Sequence, residues 1–132
     1  MSRYEEKVIR LLKKEKIKFI REKSFPDLMK GRLRFDFYIS NLYGAPTIIE
    51  VDGPQHFSFN KHFFQTQSEF NKYREHDRRK NSYCLAKGIN LYRIPWCDIK
   101  QIQSAKDIFQ DKYKVKTRWH NDKLKFVSEK NF

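Results

Sequence analysis

Apolar positions set the frame of the chain before any single residue is singled out. From Tyr4 to about Lys16, Val8, Leu11, Leu12 and Glu15 recur at helical spacing, with Ser2 placed as an N-cap. Ile17 to Phe25 alternates loosely, as a strand does, and Pro26 to Gly31 reads as a turn. Leu33 to Ser40 alternates strictly. Leu33, Phe35, Phe37 and Ile39 are predicted on one face, and Arg34, Asp36, Tyr38 and Ser40 on the other. Asn41 to Ala45, with Gly44, predicts a hairpin loop. Pro46 to Asp52 then forms a strand with Ile48, Glu50 and Asp52 on a common face. A hairpin centred on Tyr43 sets Asp36 opposite Glu50.

Gly53 to Gln65 reads as an aromatic, irregular loop. Thr66 to Lys87 reads as a long helix stopped by Gly88. Ile89 to Ile94 is a short strand closed by Pro95, and Asp98 to Asp111 is predicted as a final helix with Asp98 as N-cap. The stretch from Lys112 to Phe132 is basic and reads as a helix, a hairpin or a partly ordered tail. The order α-β-β-β-α-β-α predicts an α/β fold, with a mixed central sheet flanked by helices. One domain is expected, with 1–111 as its body and 112–132 as a basic C-terminal extension.

Charge adds a partner class to this frame. The chain has 132 residues, with 29 Lys and Arg against 16 Asp and Glu, for a net charge of +13. A surplus of that size favours a polyanionic partner through counterion release, although a merely soluble basic surface has the same composition. The longest uncharged run, which contains Tyr38 to Ile49, is shorter than the ~20 apolar residues of a spanning helix, so no membrane segment is expected. Two cysteines, Cys84 and Cys97, make no disulfide framework and fit a reduced, cytoplasmic setting. The scattered histidines lack the paired spacing of a structural zinc site.

The candidate chemistry lies on the predicted hairpin. Asp36, Glu50 and Asp52 gather three carboxylates on one proposed face. That is either an ordinary solvated face or a site for a cation such as Mg²⁺, which prefers oxygen ligands and activates water. His56 follows Gly53 and Pro54, and a turn there brings it back over the carboxylates, as a proton acceptor or as a structural hydrogen-bonder. On the long helix, Phe70, Tyr73, Asp77, Cys84 and Leu85 form a stripe. Asp77 is then an inward acid that needs Arg74, Lys80 or a metal as partner. Lys80, one turn on, is either a phosphate contact or a solvated lysine. Glu5 shares the inward stripe of Val8 and Leu12, with Glu6 on the more exposed side, and an acid in a first helical turn is favourable in itself.

Together, Leu33-Arg-Phe-Asp-Phe-Tyr-Ile39 and Ile48-Ile-Glu-Val-Asp-Gly-Pro-Gln-His-Phe57 resemble the PD-(D/E)xK nuclease superfamily. They are most similar to the branch near the very-short-patch repair endonucleases and the E-D-x-H-D phage-type homing endonucleases. Asp77-Arg-Arg-Lys-Asn-Ser-Tyr-Cys84 and Gly88-Ile-Asn-Leu-Tyr-Arg-Ile-Pro95 belong to the same likeness, which runs from about Tyr4 to Trp96. The resemblance implies a restriction-endonuclease-like α-β-β-β-α-β core. It implies Asp36 as central metal ligand, the Val51 carbonyl as a second, His56 as general base, Asp77 as an orienting acid, Glu5 as the first-helix acid and Glu50 as the motif acid. The motif lysine is missing: its position is Asp52, which favours the histidine-based variant. The Cys/His zinc ligands of the very-short-patch enzymes are also absent.

The expectation is therefore a Mg²⁺-dependent DNA endonuclease or nickase, with Mn²⁺ as substitute. Glu5, Asp36, Glu50, Asp52, His56 and Asp77 form the catalytic set, and Asp36, Glu50 and Val51 hold the metal. Arg34, Arg74, Arg78, Arg79, Lys80, Lys114, Lys116 and Arg118 are expected on the DNA backbone, as part of a basic surface that includes the tail to Lys130. Phe57, Phe59, Phe63 and Phe64 are either base wedges or loop packing. A free-standing homing endonuclease from a phage or mobile element follows from the resemblance alone. Competing readings are a non-catalytic DNA-binding module, a dimeric junction-selective nuclease and an RNA-cleaving enzyme. A monomer and a dimer fit the sequence equally.

Overall fold

The computed structural model of the protein describes residues 2–53 and 66–123. Helix α1 spans Arg3–Lys14 and begins at a capping box: the Ser2 hydroxyl accepts from Glu5 N at 3.2 Å, and the Glu5 carboxylate accepts from Ser2 N. Val8 and Leu12 are its buried stripe. The strands are β1 (Ile20–Ser24), β2 (Arg34–Leu42), β3 (Ala45–Asp52) and β4 (Asn90–Pro95). Helix α2, Gln67–Lys87, crosses from β3 to β4. It is capped by Thr66, whose hydroxyl accepts from Glu69 N, and is closed by Gly88 at φ 70°.

The sheet runs β1-β2-β3-β4, antiparallel in its first two pairings and parallel between β3 and β4. The protein is thus mixed α/β, with a four-stranded mixed sheet and flanking helices, as the element order predicts. Tyr43 (φ 52°) and Gly44 (φ 91°) form a two-residue hairpin turn, tighter than the expected loop. Asn41 steadies it by accepting from Gly44 N at 2.8 Å.

The predicted single helix over 98–111 is instead two short pieces. A 3-10 turn covers Trp96–Gln101, and α3 covers only Ala105–Ile108. Asp107 explains the break, because its carboxylate accepts from Gln103 N and Ser104 N and starts a new helix there. Asp98 is not a cap; it accepts from the Tyr113 hydroxyl at 2.9 Å. After Asp111–Tyr113, a bridge from Lys114 to Tyr92 and the short helix α4 (His120–Lys123) bind the chain back to the sheet, with Tyr113 and Val115 buried.

Two apolar clusters lie on opposite faces of the sheet. Val8 and Leu12 pack with Phe37, Ile39, Ile49 and Ile94, while Leu33, Phe35, Ile48, Leu91 and Cys84 pack on the α2 side. The expectation that Leu33, Phe35, Phe37 and Ile39 share a face fails between Phe35 and Phe37. A strand keeps alternate residues on one face unless it rotates about its axis. Here β2 rotates at Asp36, and β1 rotates with it at Glu22, which has φ 55°. The register on either side, Lys23 with Phe35 and Arg21 with Phe37, is unbroken.

Arg93 supports the end of the sheet on the α2 side. Its side chain is wholly buried, with Nη1 2.8 Å from Asp52 Oδ1 and Nε donating to Asn81 Oδ1 at 2.7 Å. Nη2 lies 3.6 Å from Asp77 Oδ1 and donates to the Asp77 carbonyl. Asn121 Nδ2 donates to the other Asp52 oxygen at 2.9 Å. Burial works against the guanidinium's charge, but Asp52 and Asp77 outweigh it and hold its pKa above the ordinary arginine range. Replacing Arg93 with Met leaves two buried carboxylates without this cation. We expect it to cost about 3–5 kcal/mol in urea unfolding; a loss of under ~1 kcal/mol would contradict this account.

Candidate functional site

The site grows from the rotation at Asp36. The β2–β3 ladder pairs Phe37 with Ile49, so one step further Asp36 stands against Glu50. The pairing is the predicted one, but the turn is centred between Tyr43 and Gly44, and a register shift between Ile39 and Leu42 restores it. At that step side chains replace the regular ladder bonds. Asp36 N donates to Glu50 Oε1 at 2.9 Å, and Val51 N donates to Asp36 Oδ2 at 2.8 Å. Each carboxylate closes a gap between the strands and is thereby fixed in direction.

Asp36 also faces Glu5 and Glu22. One carboxylate oxygen from each of the three lies within 4.8 Å of the others. Helix α1 delivers Glu5, and the left-handed backbone at Glu22 delivers Glu22 from β1. A non-glycine residue at such a φ costs on the order of 1 kcal/mol. Arg21 answers part of the charge, with Nη2 2.8 Å from Glu5 and 3.8 Å from Glu22, over the face of Phe37. Glu6, the alternative first-helix acid, is exposed.

Glu50 has a cation of its own. Lys80 of α2 brings Nζ to 3.4 Å from Glu50 Oε2 and lies over the Phe35 ring. Burial above all, and the Glu50 charge next, push the Asp36 carboxyl up to about 8, against the opposing pull of Val51 N–H and Lys80. Oxygen donors crowded in this way suit a hard divalent cation.

The structure brings together Glu5, Asp36, Glu50 and Val51 from the expected set. Asp52 and Asp77 lie at the adjoining Arg93 network and direct carboxylate oxygens to that guanidinium. On α2 the buried stripe is Phe70, Asp77, Asn81 and Cys84, with Asn81 holding Arg93, while Leu85, in the last turn of the helix, is exposed. His56 and the loop phenylalanines 57, 59, 63 and 64 lie outside the described residues, as does the tail beyond 123. Glu22, Arg21 and Arg93 were missed by the sequence reading. The demand of two inward aspartates for a buried cation was a usable signal for Arg93. Glu22 had none, since its role depends on a local backbone rotation.

The expected phosphate contacts separate into groups. Arg34, Arg79, Lys116 and Arg118 are exposed, and Lys114 is half-buried. Arg74 and Arg78 pair with Asp122 at 3.7 and 2.8 Å, and Arg118 pairs with Glu75 at 3.3 Å. Lys116 pairs with Asp111. Among the described residues no helix is long and apolar enough to cross a membrane. No family model, curated protein or solved structure matches the chain.

The raised Asp36 pKa fixes a sign. Between about pH 4 and pH 8 the folded carboxyl keeps a proton that the unfolded chain has released, so its contribution to stability falls as pH rises through that window. In EDTA, wild type should lose stability relative to Asp36→Asn from about pH 5 to about pH 8, by up to about 1.4 kcal/mol per pH unit. A pH-independent difference in urea unfolding would contradict the placement of this carboxyl.

Proposed function

We propose that this chain is a divalent-metal-dependent endodeoxyribonuclease or nickase on a restriction-endonuclease-like core. The observation that carries the reading is the convergence of Glu5, Glu22 and Asp36 at the end of a hairpin whose Glu50 holds Lys80. The order α-β-β-β-α-β and the mixed sheet are compatible with that core. Asp36, Glu5 and Glu22 would hold Mg²⁺ or Mn²⁺, with the Val51 carbonyl and Glu50 as the further ligands expected from the sequence. When bound, the ion would supply positive charge to a phosphodiester and acidify water.

The chain's own groups would do the rest. Glu50 orients the Asp36 backbone and holds Lys80, whose ammonium would meet the scissile phosphate. Lys80 would thus supply the cation that Asp52 cannot supply at the motif position. His56 is proposed as proton acceptor for the attacking water, and Asp52 and Asp77 as its acidic surroundings. Arg34 and Arg79, both exposed, would take flanking phosphates. The net charge of +13 suits such a partner.

Plasmid nicking with Mg²⁺ or Mn²⁺ tests the reading. Asp36→Ala should lower the rate roughly 10³-fold or more, the scale of a lost metal site. Lys80→Ala should cost about 10²-fold, mainly in turnover. In calorimetry, Glu22→Gln should weaken Mn²⁺ binding, and wild-type affinity should rise with pH up to about 8 as the Asp36 proton is displaced.

Arg21 favours a second reading, a non-catalytic DNA-binding module, because its guanidinium already offsets the Glu5 and Glu22 charges. Metal-independent DNA binding, with no calorimetric signal for Mg²⁺ or Mn²⁺ and no difference in cleavage between wild type and Asp36→Ala, would select it.

A further inference from the structure

A cavity of about 500 Å³ opens between α1 and the 3-10 turn Trp96–Gln101. Arg3, Lys7, Arg10 and Lys100 supply four cations to its wall, Tyr4 and Trp96 supply two aromatic rings, and no carboxylate is among its described lining residues. Arg3, Lys7 and Arg10 follow one stripe of α1, at i, i+4 and i+7. Lys7 is anchored: its Nζ donates to the Ile99 carbonyl at 2.9 Å and the Lys100 carbonyl at 3.3 Å. Arg3, Arg10 and Lys100 are exposed, and Tyr4 and Trp96 are half-buried.

We infer that this cavity receives one unpaired nucleotide of a DNA strand. Its base would stack on the Tyr4 and Trp96 rings, and its phosphates would meet Arg3, Arg10 and Lys100. Each ingredient is chemically required. A phosphate alone needs no aromatic wall, an apolar ligand gains nothing from four cations, and a duplex offers no free base face to Trp96. The volume falls within the range of small-ligand sites.

Position links the cavity to the acids. Tyr4 is the chain neighbour of Glu5. Asp52 pairs with Pro95 in the parallel ladder, so Val51 and Trp96 lie at the same end of the sheet. A strand with one phosphate at Asp36 would extend along α1 into the cavity. The inference rests on the proposed DNA-cleaving function for this continuity, and it makes the substrate a locally opened or single-stranded one.

The test uses the full chain in EDTA, where cleavage plays no part. With Trp119→Phe as background, Trp96 is the one remaining tryptophan of the two in the chain. An eight-nucleotide thymidine oligomer should quench its emission saturably. An abasic oligomer of equal length and an eight-base-pair duplex should bind at least about tenfold more weakly at this signal. Tyr4→Leu should weaken the thymidine oligomer about tenfold. Arg3→Gln/Arg10→Gln, at two exposed positions, should do the same without changing the melting temperature, and should flatten the salt dependence by about two phosphate contacts. Equal quenching by the abasic oligomer or the duplex, or unchanged affinity in the arginine pair, overturns the inference. Absence of metal-dependent nicking would instead strike the proposed nuclease activity, since binding in EDTA does not depend on it.

Discussion

The buried Arg93 guanidinium is the contact that the site's scaffold depends on. It joins β4 to β3 through Asp52 and to α2 through Asp77 and Asn81, and Asn121 carries the same network to α4. The hydrophobic clusters fix the two layers against the sheet but do not fix the axial position of α2. Directional bonds to a planar, wholly buried cation do. Asn81 and Lys80 are neighbours on that helix. Seating Asn81 on Arg93 therefore carries Lys80 to Glu50. A network of this kind is a poor source of net stability, because desolvation offsets much of its attraction. Its contribution here is placement.

The second constraint is the rotation of β1 and β2 at Glu22 and Asp36. It spoils simple alternation, places Phe35 and Phe37 on opposite faces and costs an unfavourable backbone at Glu22. Its result is a carboxylate aimed at the gap between β2 and β3, with bonds from Val51 N and to Glu50 through the backbone. Local strain and like charge thus meet at one point, a combination that structural packing alone does not require. That concentration gives the pH dependence of Asp36 and the proposed metal a shared physical origin.

Much of this was legible in the residues. Element order and the Gly88 cap of α2 followed from periodicity and residue type, while the Asp36–Glu50 pairing, expected from a hairpin centred on Tyr43, is reached through a register shift between Ile39 and Leu42. The inward placement of Glu5 and Asp77 followed from helical stripes. The face switch in β2 was not legible, because Leu33, Phe35, Phe37 and Ile39 alternate perfectly and both sheet faces are apolar, so either side accepts them. The break before α3 was hidden for another reason. Asp98 is a plausible cap by residue type, and only its tertiary contact with Tyr113 takes it out of that role. Arg93 was unread because a charged residue within a short strand suggests an exposed edge until its partners are located.

Asp52 gains meaning from these constraints. A lysine at its position would place a cation on the face where Arg93 already stands, wholly buried and 2.8 Å from the residue-52 side chain. Two buried cations at that distance would repel strongly. With Arg93 there, an acid at position 52 is favoured and the cation must come from elsewhere. α2 supplies one on the next residue of the same face, at Glu50. On the proposed reading, the missing motif lysine is therefore no argument against catalysis. On that reading the helix, not the strand, would supply the charge, and the same Arg93 that disfavours a cation at position 52 holds the helix that carries Lys80.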